Sequence, residues 1–117
     1  MLQLSPQTRI YLAVKPVDFR KQIDGLKAVC KRQLNSDPFS GSLFVFRNRK
    51  GSAIKILAYD GQGFWLCCKR FSKGTLNWWP DQPSDTCLLP ANKMQILLWN
   101  GNPTTAGIPE DWRRIAA

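Results

Sequence analysis

The sequence predicts a single α+β domain, an antiparallel sheet of about four to five strands with one long helix on one face. The first observation is a set of three apolar, strand-like runs between residues 42 and 70, separated by the short turn signals NRKG and DGQG. The second is a preceding segment, residues 18–34, whose apolar residues recur at helical spacing. The third is the length of 117 residues, which fits one compact domain. We assign residues 1–100 to this domain and 101–117 to an irregular C-terminal tail.

The chain begins with a β-rich run at residues 8–14, TRIYLAV, which we predict as the first strand and which Pro16 ends. Asp18 is the predicted N-cap of the long helix. The apolar stripe of that helix consists of Ile23, Leu26, Val29, Cys30 and Leu34. Residues 35–41 end the helix and turn the chain.

Three strands are predicted next, at about 42–47, 53–59 and 64–70, and a fourth at about 75–79, where the sequence is TLNWW. Residues 80–85 are predicted as a loop. Pro90 is expected to start a short C-terminal helix, because it is tolerated in the first helical turn. The apolar positions of this helix are Met94, Leu97 and Leu98.

Alternation along the three central strands sorts their side chains onto two faces. If both turns are four-residue loops, Arg47 opposes Ser52 and Tyr59 opposes Phe64. One face is then aliphatic and suits the long helix; it carries Leu43, Val45, Ile54, Ile56, Ala58, Trp65 and Cys67. The other is aromatic with embedded cations; it carries Phe44, Phe46, Lys55, Leu57, Tyr59, Phe64, Leu66, Cys68 and Arg70. This second face is either covered by the C-terminal helix and the Trp-rich segment or open to a partner.

The charge balance favours a polyanionic partner, since 17 basic residues face 8 acidic ones and the net charge is +9. The cations at 47–50 and 69–73 are expected to meet at one edge of the sheet and contact phosphates. The candidate nucleic-acid-binding residues are Arg47, Arg49, Lys50, Lys55, Lys69, Arg70 and Lys73. The candidates for base stacking or a partner face are Phe44, Phe46, Tyr59 and Phe64. The competing interpretation is an ordinary sheet core with a solvated Lys/Arg rim.

The residues for catalysis or metal binding are few. The chain has no histidine, its four cysteines form no C-x-x-C pair, and it has no nucleophile-elbow or phosphate-loop motif. Asp18 and Asp60 are better explained as a helix cap and a turn residue. We therefore expect a protein that is not an enzyme and has no metal or cofactor. Without a leader or an apolar run of about 18 residues, we expect a cytoplasmic protein with no membrane partner.

The segment DPFSGSLFVFRNRKGSAIKILAYDGQGFWLCCKRFSKGTLNWWP closely resembles the TnpB accessory-protein family of insertion sequence sixty-six elements. The earlier TRIYLAVKPVDFRKQIDGL resembles the opening strand and helix start of that family. Residues 99–109 look like an insertion before the Asp111-Trp112-Arg113 ending.

The resemblance implies a bacterial accessory protein of DNA transposition, with a separate protein of the element as the transposase. Its expected partners are DNA at the element ends and, as a second option, that transposase. The alternative function is a protein-interaction module that docks the transposase without contacting DNA. An RNA-binding regulator is a weaker option, because the chain lacks the aromatic RNP pattern.

Overall fold

The structure is a computed structural model that describes residues 5–104. In chain order its elements are β1 (Ile10–Ala13), α1 (Ile23–Arg32), β2 (Leu43–Arg47), β3 (Ala53–Tyr59), β4 (Phe64–Arg70), β5 (Thr86–Leu89) and, after a 3₁₀ turn at Ala91–Lys93, α2 (Met94–Leu98). The predicted α+β class and the five-strand upper count are confirmed.

The five strands form one sheet in the order β4-β3-β2-β1-β5. The pairing of β1 with β2 is parallel, and the other three pairings are antiparallel. The prediction of a wholly antiparallel sheet is therefore wrong. Parallel neighbours need a crossover connection, and α1 supplies it because it lies between β1 and β2 in the chain.

The long helix predicted at 18–34 is shorter, with ten residues from Ile23 to Arg32. Asp18 is not its N-cap; that position is Gln22, whose side chain makes no capping bond. Asp18 instead closes a separate turn, since its Oδ1 accepts the backbone N–H of Arg20 at 2.9 Å. The helix ends at Arg32, two residues before the predicted end, and Asn35 takes a left-handed φ of 50° where the chain turns away.

The strand predicted at 75–79 is not formed; this segment has no regular structure. The fifth strand is β5, which lies just beyond the predicted loop and pairs with β1 from Ile10↔Leu89 to Ala13↔Thr86. The short C-terminal helix predicted after Pro90 is confirmed as α2.

The β3–β4 register is as predicted, with Tyr59 opposite Phe64. The β2–β3 register differs, because Arg47 opposes Ile54 instead of Ser52. The shift is two residues, and side chains alternate with a period of two, so every side chain keeps its predicted face.

The aliphatic face is covered by α2 and the Trp-rich segment. Val45, Ile54 and Ile56 pack in one buried cluster with Met94 and Leu97 of α2. Trp78 and Trp79 pack against the same cluster. The prediction that the long helix covers this face is wrong.

The aromatic face is covered by α1. Phe44, Phe46 and Leu57 form a second buried cluster with Leu26 and Cys30 of α1. Phe44 and Phe46 are 1% and 0% exposed, so the centre of this face is core and not an open surface. The sheet is thus the middle layer between two separate apolar clusters.

Within residues 5–104, no helix is long and apolar enough to cross a membrane. The predicted tail is described only as far as Thr104, and its Pro103 is buried. The rest of the tail, including residues 105–109 of the expected insertion and Asp111-Trp112-Arg113, lies outside the described residues.

Candidate nucleic-acid interface

The turn between β2 and β3 is built by Asn48. Its Oδ1 accepts the backbone N–H groups of Ser52 at 2.9 Å and Ala53 at 3.3 Å, and its Nδ2 donates to Ser52 Oγ at 2.9 Å. Gly51 has the left-handed φ of +68° that lets its N–H return to Asn48 O at 3.1 Å. This bonded turn holds Arg49 and Lys50 at its exposed tip.

The chain that leaves β4 lies beside the same turn. Arg70 is the cross-strand partner of Ala53, and Phe71 N–H donates to Ser52 O at 2.9 Å. Further on, Leu76 N–H donates to Gly51 O at 2.8 Å. Lys73 lies between these two bonds and is exposed. The structure therefore brings Arg49, Lys50, Arg70 and Lys73 to one end of the sheet, and these are part of the predicted 47–50 and 69–73 cations.

A cleft of about 620 Å³ opens at this end of the sheet. Its cationic wall is formed by Arg49, Lys50 and Arg70. The loop between β1 and α1 also lines the cleft, with Pro16, Val17, Asp18 and Phe19. A bond from Val17 N–H to Arg47 O at 3.0 Å holds this loop against the end of β2. Sequence reasoning missed the loop as part of the site, since its contacts with 48–52 and 70–71 arise only in the folded chain.

Asp18 is a carboxylate in this cationic cleft, and it is already paired. Arg20 Nη2 donates to Asp18 Oδ2 at 2.6 Å, and Arg20 Nε lies 3.1 Å and 3.0 Å from the two carboxylate oxygens. The side-chain bonds from Arg20 lower the pKa of Asp18 to about 2, so the carboxyl group is ionised at neutral pH. The charge of Asp18 is offset by Arg20, and the neighbouring cations keep their net positive field.

Three of the predicted cations, Lys55, Lys69 and Arg47, are directed to backbone carbonyls of the fold. Lys55 is 6% exposed, and its Nζ donates to Phe19 O at 2.9 Å and Lys21 O at 3.0 Å. Lys69 donates to Leu98 O at the end of α2.

Arg47 is half-buried, with Nη1 directed to the carbonyls of its own turn, Asn48 and Arg49, at 3.4 and 3.5 Å. The surface cations that the structure brings together are therefore Arg49, Lys50, Arg70 and Lys73.

The aromatic candidates also divide into core residues and residues nearer the surface. Phe44 and Phe46 are core residues, and their prediction as surface contacts is wrong. Tyr59 and Phe64 are half-buried at the opposite end of the sheet, where Phe39 packs edge-on against both, with ring centroids 5.0 and 5.1 Å apart.

Phe39 is 46% exposed, and the Nζ atom of Lys27 lies 5.0 Å from its ring centroid and 4.8 Å from that of Phe64. We call Phe39, Tyr59 and Phe64 the aromatic patch. Alternation could not identify Phe39, because it precedes β2 on an irregular segment.

Asp60 has the predicted turn role. Its Oδ1 accepts the N–H groups of Gln62 and Gly63 at 2.9 Å, and its Oδ2 accepts Trp65 Nε1 at 2.8 Å. These hydrogen bonds lower the pKa of Asp60, and the bond from the Gln62 N–H has the largest effect. In residues 5–104, His, Cys, Asp and Glu side chains form no group of three or more that could hold a metal ion.

Comparison with known proteins agrees with the resemblance seen in the sequence. The chain is 32% identical over 113 residues to the uncharacterized protein y4hO of Sinorhizobium fredii, an alignment that covers 97% of this chain and 90% of that protein. It is 36% identical over 74 residues to the uncharacterized protein y4jC of the same organism, covering 63% of each chain. No solved structure matches. The family model described as IS66 Orf2 like protein matches residues 8–105, and the chain belongs to this TnpB family of IS66 elements.

Proposed function

We propose that this chain is a non-catalytic accessory protein of IS66 transposition that binds DNA through the phosphate backbone, in the bacterial cytoplasm. Family membership supports the process. The observation that carries DNA binding is the cleft in which Arg49 and Lys50 meet Arg70 from a different strand. Lys73 lies on the adjoining loop and extends the same cationic surface.

The arrangement suits phosphates better than base edges. Arg49 and Lys50 are exposed at the tip of a short turn fixed by Asn48, and Arg70 stands at the end of a paired strand. An arginine fork presents two N–H groups to two phosphate oxygens, and a lysine supplies a point charge. Contacts of this kind position a protein on the duplex and carry no sequence information directly.

Salt dependence of binding tests this proposal. We expect fluorescence anisotropy with a duplex from the element end to give a log–log slope of about −3.6, from four neutralised phosphates at about −0.9 each. Replacing Arg70 with Gln should weaken binding at every sequence and reduce the slope by about 1. A slope near zero, or no binding at low salt, would refute the proposal.

Two matched variants separate a local site from a general charge effect. Arg32→Gln removes the same charge from the exposed end of α1, away from the cleft, and should leave the slope nearly unchanged. Asp18→Asn should strengthen binding, because it removes the cleft carboxylate and releases Arg20. If Arg32→Gln and Arg70→Gln have equal effects, the cleft is not the binding site.

A second candidate function is docking of the transposase through the aromatic patch. The supporting observation is the 46% exposure of Phe39. We expect Phe39→Glu to abolish copurification with the transposase in the presence of nuclease, and the Arg49→Ala/Arg70→Ala pair to leave it intact. The reverse pattern would show that DNA alone bridges the two proteins. Circular dichroism of each variant checks that it is folded.

A further inference from the structure

Strand β4 is an edge of the sheet, and within residues 5–104 no strand pairs with one side of its backbone. Asp60 N–H donates to Gly63 O, and Phe71 N–H donates to Ser52 O. In an antiparallel ladder, hydrogen-bonded pairs alternate with non-bonded ones, so residues 65, 67 and 69 bond to β3. The N–H and C=O groups of residues 64, 66, 68 and 70 therefore point outward. Among residues 5–104, no hydrogen bond reaches these outward groups.

The opposite edge, β5, is different. It has four residues, and Pro90 follows it directly. The outward carbonyl of Thr86 accepts bonds from Gln82 Nε2 at 3.2 Å and Ser84 Oγ at 3.0 Å. Short length, proline and local capping are the devices that block edge-to-edge pairing. β4 has seven residues and no proline, and no side chain of the described residues caps its outward groups.

The sequence of β4, FWLCCKR, is asymmetric: aromatic residues stand at its start and cations at its end. Charged side chains usually keep an edge strand from pairing with another chain. In β4 the charges oppose pairing with a parallel copy but not with an antiparallel one. A parallel copy would place Arg70 opposite Arg70. An antiparallel copy centred on Cys67 pairs all seven residues and places cations opposite aromatic rings: Phe64 opposite Arg70 and Trp65 opposite Lys69.

We propose that two copies of this chain pair through β4, antiparallel and centred on Cys67, to form a continuous ten-stranded sheet. This register suits the backbone, because the residues whose N–H and C=O groups point outward then face each other. Residue 64 pairs with residue 70, and residue 66 pairs with residue 68. A two-fold axis through Cys67, perpendicular to the sheet, keeps the α1 layers of both copies on one side. Arg70 belongs both to the cleft and to this pairing, whereas Arg49 and Lys50 lie outside β4. The tests below measure pairing without DNA, so their outcome does not depend on DNA binding.

Cysteine cross-linking tests the register directly. Residue 67 meets itself in a non-hydrogen-bonded pair, with Cα atoms about 4.5 Å apart, inside the range for a disulfide. Residue 68 meets residue 66, so its two copies are roughly 8–9 Å apart, too far for a disulfide. We expect mild oxidation to cross-link the full chain carrying Cys30→Ala, Cys68→Ser and Cys87→Ser, which retains Cys67. The matched chain carrying Cys30→Ala, Cys67→Ser and Cys87→Ser should remain uncross-linked.

Sedimentation velocity on the full chain tests the pairing itself. The wild type should sediment at twice the 13.3 kDa chain mass. Cys68→Pro removes an outward N–H that β3 does not use, so the monomer should stay folded by circular dichroism while dimer dissociation becomes about tenfold easier or more. Cys68→Ser keeps the N–H and should dimerise like the wild type.

Three results would overturn the proposal: a monomeric wild type, equal dimerisation of the Cys68→Pro and Cys68→Ser variants, or cross-linking through Cys68 as efficient as through Cys67. If the wild type is monomeric, amide hydrogen exchange shows whether the chain itself covers the outward side of β4. Slow exchange at Leu66 and Cys68 in a monomer would mean that the chain covers its own edge, and fast exchange would mean that the edge is open.

Discussion

Lys55 shows that alternation can predict the face of a side chain without predicting how deeply it is buried. It lies on the predicted face, opposite Phe46 on β2 and Cys68 on β4. Its ammonium is buried beneath the loop that enters α1 and donates to two carbonyls of that loop. Its Nζ also lies 4.9 Å from the ring centroid of Phe19. Lys55 therefore anchors the β1–α1 connection, which is one wall of the cleft.

Replacing Lys55 with Met should lower the free energy of unfolding by about 1–3 kcal/mol, because the Phe19 and Lys21 carbonyls lose their buried donor. Lys50→Met is the matched control. Lys50 is exposed at the turn tip, and its loss should change stability by no more than about 0.5 kcal/mol. Urea denaturation measures both. Equal stability of the two variants would contradict the anchoring role.

The other predictions about single residues also divide into those that the local sequence decides and those that packing decides. Asp60 was predicted from local chemistry, since an aspartate before Gly61 bonds to the backbone that follows it. The burial of Phe44 and Phe46, by contrast, depends on which element packs over that face of the sheet, and here it is α1. Alternation states which side of the strand a residue occupies and contains no information about how deeply that side is covered.

At the scale of elements, residues 75–79 form a clamp and not a strand. Asn77 N–H donates to Asn100 Oδ1 at 2.7 Å, and Asn77 Nδ2 donates to Asn100 O at 2.6 Å. Asn100 Nδ2 in turn donates to Thr75 O at 3.0 Å. Trp79 Nε1 donates to Ala13 O at 2.9 Å. These bonds fasten the Trp-rich segment over the aliphatic cluster and beside α2.

Asn100 can be tested with a matched pair of substitutions. It has a left-handed φ of 63°, which Gly adopts freely and Ala does not. Asn100→Gly should lower the unfolding free energy by about 1–3 kcal/mol through the lost side-chain bonds. Asn100→Ala should lower it by about 1–2 kcal/mol more, because of the strained backbone.

Thermal unfolding, with hydrogen exchange at the Asn77 amide, measures the clamp. That amide should exchange faster in both Asn100 variants, since its acceptor Oδ1 is lost. Unchanged exchange would show that the clamp does not hold the segment in solution.

The strand error has a physical origin. TLNWW has strong β propensity, but no strand in the described part of the chain pairs with it. Pro80 follows it, and its tryptophans pack against the aliphatic cluster. TCLL at 86–89 is only four residues long and gains its strand geometry from pairing with β1. Strand propensity measures fit to a partly buried sheet position, so tertiary pairing overrides it in both places.

At the scale of the whole molecule, the sheet separates two apolar clusters. Leu26 belongs to the cluster under α1, and Ile54 belongs to the cluster under α2. Both side chains are almost fully buried. Their substitutions should therefore be costly individually and independent of each other.

We expect Leu26→Ala to cost about 2–5 kcal/mol and Ile54→Val about 0.5–1.5 kcal/mol. The double variant should equal the sum within about 0.5 kcal/mol, because the residues share no partner across the sheet. Urea unfolding of the three variants gives the comparison. A coupling above about 1 kcal/mol would show that the two clusters behave as one core.

The sequence by itself determined the α+β class, the single helix before three consecutive strands, the side-chain faces and, for four of the cations predicted at 47–50 and 69–73, their meeting at one end of the sheet. Each follows from local periodicity or from hairpin connections that leave little freedom. The tertiary structure alone decided that β1 lies parallel to β2, that α1 covers the aromatic face, that Lys55 is buried and that the β1–α1 loop closes the cleft. Both sheet faces are apolar, so the pattern cannot choose which helix covers which face. Packing across the whole fold makes that choice.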